Sequence, residues 1–189
     1  MLKTISSSSL FHILICIASA GPLKSKANKV IVDDVAFYKL GTYRGFTDDG
    51  AEYQKTFFFS RYSESFWAES KAICNAFKME LASMETLAEA NALLTMADNH
   101  SFLRAVNDII IWIDGIALSP ISTTDWYWSN SGEKINFPIP WVIGQPSSTD
   151  QRCLSIHKAG INQKFGFNDF HCSDSYFIYL FVDVTVRKN

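Results

Sequence analysis

An α+β domain with a mostly antiparallel sheet follows from the order of patterns along this chain. Both helical patterns fall between residues 63 and 97, the apolar runs after residue 104 read as short strands, and no alternation of the βαβ kind joins the two regions. With 189 residues, 48% of them apolar and 14% aromatic, the chain can bury one good core, which argues for a single globular domain. That composition excludes a disordered chain, and 9 glycines exclude a collagen-like repeat. The formal charge is −2, with no block of Lys and Arg, so neither nucleic acid nor an acidic membrane is favoured as a partner.

The first twenty residues, MLKTISSSSLFHILICIASA, place one basic residue (Lys3) before an apolar stretch from Leu10 to Ala18 and end in Ala18-Ser19-Ala20. This small-x-small ending marks a cleaved signal peptide over 1–20. A membrane anchor is the competing reading, but the apolar stretch has about nine residues where a span needs roughly twenty. Export makes disulfides permissible. Cys16 leaves with the signal, so Cys74, Cys153 and Cys172 remain and one thiol is left over. The sequon Asn99-His100-Ser101 becomes a candidate glycosylation site at Asn99.

Residues 21–36 read as a leader, whose small, polar and basic start shows no periodicity. Between 30 and 62, VIVDDVAFYKLGTYRG and YQKTFFFSRY are rich in aromatic and β-branched residues and flank Thr47-Asp48-Asp49-Gly50, so two strands joined as a hairpin are expected. A first helix follows over SESFWAESKAICNAFKM, capped by Ser63 or Ser65, with Phe66, Ile73, Cys74 and Phe77 on one face. A second starts at Thr86, where Thr86-Leu87-Ala88-Glu89 is a capping box and Leu87, Ala90, Leu94 and Ala97 continue an apolar stripe. After residue 104 the segments IIIWIDG, DWYWSNSG, FPIPWVIGQP, CLSI, FGFNDFHC and YFIYLFVDV read as strands between polar or Gly/Pro breaks.

From about residue 37 to residue 182 the order of particular residues resembles the C-type lectin-like domain. Trp67 and Cys74 match the family's first helix, Leu81-Ala82-Ser83 its segment before the second helix, and Glu89 the acid of that helix. Trp112-Ile113-Asp114-Gly115 stands for its core strand, and Trp126-Tyr127-Trp128-Ser129 with Gly132 for its next aromatic segment. Trp141-Val142-Ile143-Gly144-Gln145-Pro146 matches its sugar loop, and Phe167-Asn168-Asp169-Phe170-His171-Cys172 its last motif. The short secreted lectins of arthropod innate immunity look most similar. The resemblance implies two helices, a mostly antiparallel sheet and a long irregular calcium- and sugar-binding loop region, with a tail at 183–189.

A Ca²⁺ ion takes six to eight oxygens, and adjacent sugar hydroxyls can supply some of them. By resemblance the metal ligands are Gln145, Ser147, Asn168 and Asp169, the same groups bond the sugar, and Asp150 can swing in as a further ligand. The Gln-Pro order is the family's galactose type, and Pro146 is expected to carry a cis bond. The resemblance also pairs Cys153 with Cys172. Three positions depart from the family: Ser147 stands where Asp or Asn is usual, Gln151 replaces an acid two residues before Cys153, and Tyr179 replaces the cysteine that would pair with Cys74. Cys74 then reads as a buried thiol or as an intermolecular cross-link.

Other readings stand beside these. Cys153, His157, His171 and Cys172 have the residue types of a zinc site, against the disulfide. Trp112, Trp126, Trp128 and Trp141 read as core, or as a platform for sugars. Asn168 and Asp169 are also common turn formers. No nucleophile elbow, P-loop or dinucleotide fingerprint is present, so an enzyme is not expected. The expected function is a secreted, extracellular, calcium-dependent lectin that binds microbial or host blood-cell glycans in innate immunity and agglutination, with homo-oligomerisation left open. The alternative is the same fold with a lapsed calcium site, acting as a protein-binding module.

Overall fold

The computed structural model describes residues 29–32, 35–47, 50–61, 65–76, 79–119, 125–175 and 179–187. The signal segment 1–20, Ser63 and Phe77 lie outside them. Among the described residues the chain forms β1 (Lys29–Val32), β2 (Val35–Phe46), β3 (Glu52–Arg61), α1 (Trp67–Ala76), β4 (Glu80–Leu81) and α2 (Leu87–Asn99). Next come α3 (Ser101–Ala105), β5 (Ile109–Ala117), β6 (Trp126–Trp128), β7 (Cys153–Lys158), β8 (Gly166–Phe170) and β9 (Tyr179–Arg187). Two sheets result, ordered β1-β2-β3-β9-β4 and β6-β5-β7-β8, and every strand pairing is antiparallel. This is the α+β class read from the pattern. Pairing starts at Lys29 and continues to Arg187, beyond both ends of the span 37–182.

The hairpin forms as β2 and β3, in register from Phe46↔Glu52 outward. Its aromatic run is buried: Phe57 and Phe59 are almost wholly enclosed and face Ala90, Leu93, Leu94 and Ala97 of α2 and Ile109, Ile111 and Ile113 of β5 in one core. The β5 run IIIWIDGIA is buried along nearly its whole length, because its two sides are covered by different neighbours. On one side Trp67 Nε1 donates to the Ile113 carbonyl at 2.8 Å, and Trp112 Nε1 donates to the Ser65 carbonyl at 3.3 Å. Trp112, Trp126 and Trp128 are buried, and Trp141 packs against the core with its ring 5.5 Å from that of Trp126. All four serve packing.

Four local details differ from expectation. The buried face of α1 is Trp67, Ser70 and Cys74, while Phe66, expected on it, is exposed. Phe66 sits just before the helix, and its N–H donates to the Glu69 carboxylate at 3.1 Å, so the acid and not a serine satisfies that end. At α2, Thr86 Oγ1 accepts from the Glu89 N–H at 3.2 Å as the capping box requires, but the Glu89 carboxylate does not return to Thr86. It turns inward, fully buried, to accept from the Glu85 N–H (2.9 Å) and the Tyr53 hydroxyl (3.2 Å) and to pair with Lys55 Nζ (2.8 Å). A third, short helix, α3, continues the chain after the break at His100. Finally, FPIPWVIGQP forms no strand beyond a single parallel bridge, Trp141↔Phe167; three of its residues, Pro138, Pro140 and Pro146, are prolines, which cannot donate to a ladder.

Asp114, in the middle of β5, is also fully buried. Its carboxylate accepts from the Asn130 N–H (2.8 Å) and Ser129 Oγ (2.9 Å) and lies 3.4 Å from Lys71 Nζ. Burial raises its pKa, and those three donors only partly offset the rise. A carboxyl with a raised folded value binds protons more readily folded than unfolded, so its contribution is present at low pH and is lost as pH rises through that value. The stability advantage of wild type over Asp114→Asn is therefore expected to shrink as pH is raised from about 4, the ordinary aspartate value, toward neutrality. Urea unfolding of both proteins across that range measures it; an advantage that grows with pH would contradict the assignment.

Candidate functional site

The second sheet ends at β8, and its outer edge receives the loop that follows residue 137. Phe167 N–H donates to the Pro140 carbonyl (2.9 Å) and Val142 N–H to the Phe167 carbonyl (2.8 Å), so the loop backbone docks on β8 as a short extra rung. Gly166 makes that approach feasible: a Cβ there would lie 2.9 Å from the Val142 nitrogen. Gly166→Ala is expected to push the loop off the edge and to destabilise the protein by roughly 1–3 kcal/mol, the usual cost of forced overpacking. Chemical denaturation, with Gly115→Ala on β5 of the same sheet, where the added Cβ would meet the Leu154 side chain, as a comparison for simple core crowding, checks this. The loop then turns at Gly144, whose φ of +88° favours glycine, with Gln145 N–H bonded to the Val142 carbonyl at 3.1 Å. The Gln145–Pro146 bond is cis.

This docking brings Ser147 and Ser148 to Asp169, one strand position beyond Asn168. The Asp169 carboxylate, buried to within 1% of full enclosure, accepts from the Ser147 N–H (3.2 and 3.1 Å to its two oxygens) and from the Ser148 N–H (3.4 Å). Asn168 is nearly as buried, and its Nδ2 lies 3.0 Å from His157 Nδ1. Because the amide nitrogen can only donate, His157 Nδ1 accepts, and its Nε2–H donates to Asp108 Oδ1 at 2.9 Å. That chain fixes the amide with Oδ1 directed elsewhere, and Asn168 Oδ1 is a buried oxygen without a hydrogen-bond partner. Gln145 Oε1 is in the same condition.

The other two candidate residues are engaged within the loop. Ser147 Oγ donates to Gln151 Oε1 at 2.7 Å, and Asp150 accepts from the Ser148 hydroxyl, with its other oxygen 3.9 Å from His171 Nδ1. The serine hydroxyl first, and His171 to a lesser degree, hold the Asp150 carboxyl below its ordinary pKa despite some desolvation. Cys153 and Cys172 are bonded to each other, closing the β7 start onto the chain after β8. Their sulfurs are spent, so the four-residue zinc set does not form. Cys74 is a free, fully buried thiol. Asn99 is exposed at the end of α2.

From the chain alone His157 enters only as a member of the zinc set and Gln151 only as a departure from the family pattern, and Gly166 carries no signal. His157 meets Asn168 only through the β7–β8 register, in which Ser155 lies opposite Asn168 and His157 opposite Gly166. No local motif carries that information.

No protein-family model and no curated relative matches the chain. Solved structures do. The C-type lectin domain of murine dendritic cell inhibitory receptor 2, in complex with N-glycan, aligns with a TM-score of 0.51 at 21% identity, over 71% of this chain and 91% of its own. The fold is that of the C-type lectin domain. Herring type II antifreeze protein aligns with a TM-score of 0.51 at 20% identity, over 70% of this chain and 92% of its own. SPL-1, in a GlcNAc complex, aligns with a TM-score of 0.51 at 20% identity, over 69% of this chain and 87% of its own.

Within this C-type lectin fold the donor chemistry of the site is all oxygen. Two buried amide oxygens lack a proton donor, a need that a hard divalent cation meets as well as a hydrogen bond would. Among the described residues no group of three or more His, Cys, Asp or Glu forms a metal site. Calcium, which takes carbonyl as well as carboxylate oxygens, is the ion these residues fit: Gln145, Asn168 and Asp169 would hold it, and Ser147 and Asp150 could join only by leaving their present partners.

Proposed function

We propose that this chain is a secreted, extracellular, non-enzymatic lectin that binds carbohydrate through one calcium ion at the Gln145–Pro146 loop, with galactose-type preference. The observation that carries the reading is that two of the loop and strand amide oxygens, Gln145 Oε1 and Asn168 Oδ1, are buried without a hydrogen-bond partner, while the Asp169 carboxylate holds the N–H of Ser147 in the same loop. A calcium ion held there would give these oxygens the partner they lack, and because calcium takes six to eight oxygens, sugar hydroxyls could complete its shell. With Asp169 the one carboxylate of the inner set, affinity for calcium should be weak, in the roughly 10⁻⁴ to 10⁻³ M range that extracellular modules use. The aligned murine domain is in complex with N-glycan and SPL-1 with GlcNAc, which supports a sugar reading. Because an antifreeze protein shares the fold, the fold alone does not select a ligand, and the residues of the site do. Glycans of microbial or host blood-cell surfaces, as in innate immunity, are the proposed targets.

A second reading, a protein-binding module with a lapsed calcium site, draws on the internal engagement of Ser147, Asp150 and Asp169. Calorimetric titration of the purified protein with Ca²⁺, then with galactose and mannose, separates the two. Calcium uptake followed by galactose binding that EDTA abolishes supports the lectin. Ser147→Asp sharpens the test, since a second carboxylate beside Asp169 should strengthen calcium binding yet lower the melting temperature in EDTA. No calcium uptake by either protein leaves the protein-binding reading in place.

A further inference from the structure

A cleft of about 420 Å³ opens between β2 and the α2–α3 break, lined by Leu40, Thr95, Met96, Asn99, His100 and Ser101. Half of its lining is the sequon itself, Asn99-His100-Ser101. The helix ends there: His100 takes an extended backbone (φ −73°, ψ 120°) before α3 begins, and both Asn99 and Ser101 are exposed. The cleft volume lies at the small end of the roughly 300–1,000 Å³ typical of small-ligand sites, enough for one or two sugar rings. Its walls are mixed in the way a sugar ring requires. Leu40 and Met96 supply apolar surface, and Thr95 has spent its hydroxyl on the Asn91 carbonyl at 2.7 Å. His100 is held edge-on against Phe59, ring centroids 4.8 Å apart, with its Nδ1 buried and without a partner. Burial also lowers the pKa of His100, which favours the neutral ring with a nitrogen free to accept.

We infer that Asn99 carries an N-linked glycan and that this cleft seats its first N-acetylglucosamine, which lies over the apolar surface of Leu40 and Met96. The inference rests on the export reading, because the transferase acts in the secretory lumen. In the transfer, Asn99 Nδ2 forms a bond to the anomeric carbon of an oligosaccharide carried on a lipid diphosphate. The bond from that carbon to the diphosphate oxygen breaks, the lipid diphosphate leaves with the electron pair, and the amide gives up one proton. The glycan is thus covalent and intramolecular, so it occupies the cleft at a high effective concentration whatever its intrinsic affinity.

The full chain, expressed in eukaryotic cells with its own N-terminus, should be secreted with a mobility that one glycosidase step shifts and that Asn99→Gln or Ser101→Ala abolishes. Export failure would count against the secretion reading alone, and the same chain behind a proven signal sequence then tests the site by itself; secreted protein without a glycan overturns the inference. Seating is read by melting temperature. Trimming to a single N-acetylglucosamine should leave it unchanged, while complete removal should lower it by roughly 2–4 °C, the scale of one lost buried contact in a chain of this size. Asn99→Asp, which matches the product of complete removal, should melt with the bare form. Met96→Ala keeps the sequon but removes part of the apolar wall. It should still be glycosylated, with the difference between trimmed and bare forms reduced. If trimmed and bare wild type melt alike, the sugar does not occupy the cleft and the seating is wrong.

Discussion

Asp169→Ala is expected to lose calcium-dependent retention on a galactose resin. Asp169 supplies the only formal negative charge among the three inner oxygens, and its carboxylate also holds the Ser147 and Ser148 N–H groups that pin the loop to the sheet edge. Charge-assisted hydrogen bonds are worth about 1.5–3 kcal/mol each, so losing them with the metal charge should weaken sugar binding on the order of 100-fold or more. Asp169→Asn separates the two roles: it keeps the size of the side chain and much of the loop's position while removing the charge. It should retain the wild-type near-ultraviolet circular dichroism and still fail to bind. Asn168→Ala should behave in the same direction. Retention of Asp169→Ala equal to wild type, or wild-type retention that survives EDTA, would remove calcium from the function and leave the protein-binding reading.

The largest loss of stability is expected at Lys55. Its Nζ is buried and bonds the Glu89 carboxylate at 2.8 Å and the Ser83 carbonyl at 3.2 Å, with Glu85 at 3.6 Å, so it ties β3 to the start of α2. Tyr53 completes the group. Burial first, then the neighbouring Glu89 charge, raises its pKa well above the ordinary tyrosine value, and its hydroxyl stays a donor to Glu89. Removing one partner of a buried ion pair leaves an uncompensated charge, a cost of roughly 3–5 kcal/mol. Lys55→Met preserves most of the stem volume and should lower the melting temperature by on the order of 10 °C in a chain of this size. Combining it with Glu89→Gln should recover part of the loss, because the stranded charge is then gone. If Lys55→Met and wild type unfold within about 1 kcal/mol of each other, the pair is not the brace that its burial implies.

The difference between the Glu89 capping box and the Glu89 ion pair marks how far a one-dimensional pattern reaches. Thr86 and Glu89 are three residues apart, so the start of α2 is legible locally, and the Thr86 bond to the Glu89 N–H forms as that spacing demands. Where the carboxylate points depends on Lys55, thirty-four positions earlier, which no local pattern brings into view. The same contrast runs through the whole domain. The α+β class, the β2–β3 hairpin and the later strands follow from aromatic and β-branched runs between polar or Gly/Pro breaks, and α2 from apolar spacing near 3.6, because both signals are properties of neighbours in the chain. At α1 the local signal misleads: Phe66 looks like part of the apolar face, but the core selects Trp67, whose indole N–H reaches the Ile113 carbonyl. For the candidate site, the residue types Gln145, Ser147, Asn168 and Asp169 were legible only through their resemblance to a family motif. Tertiary contacts set the condition of their oxygens. The β7–β8 register puts His157 against the Asn168 amide, Gly166 lets the loop dock on β8, and Gln151 takes the Ser147 hydroxyl. Whether a polar atom is left unpaired depends on every group around it, and in this domain those groups come from strands and loops distant in sequence.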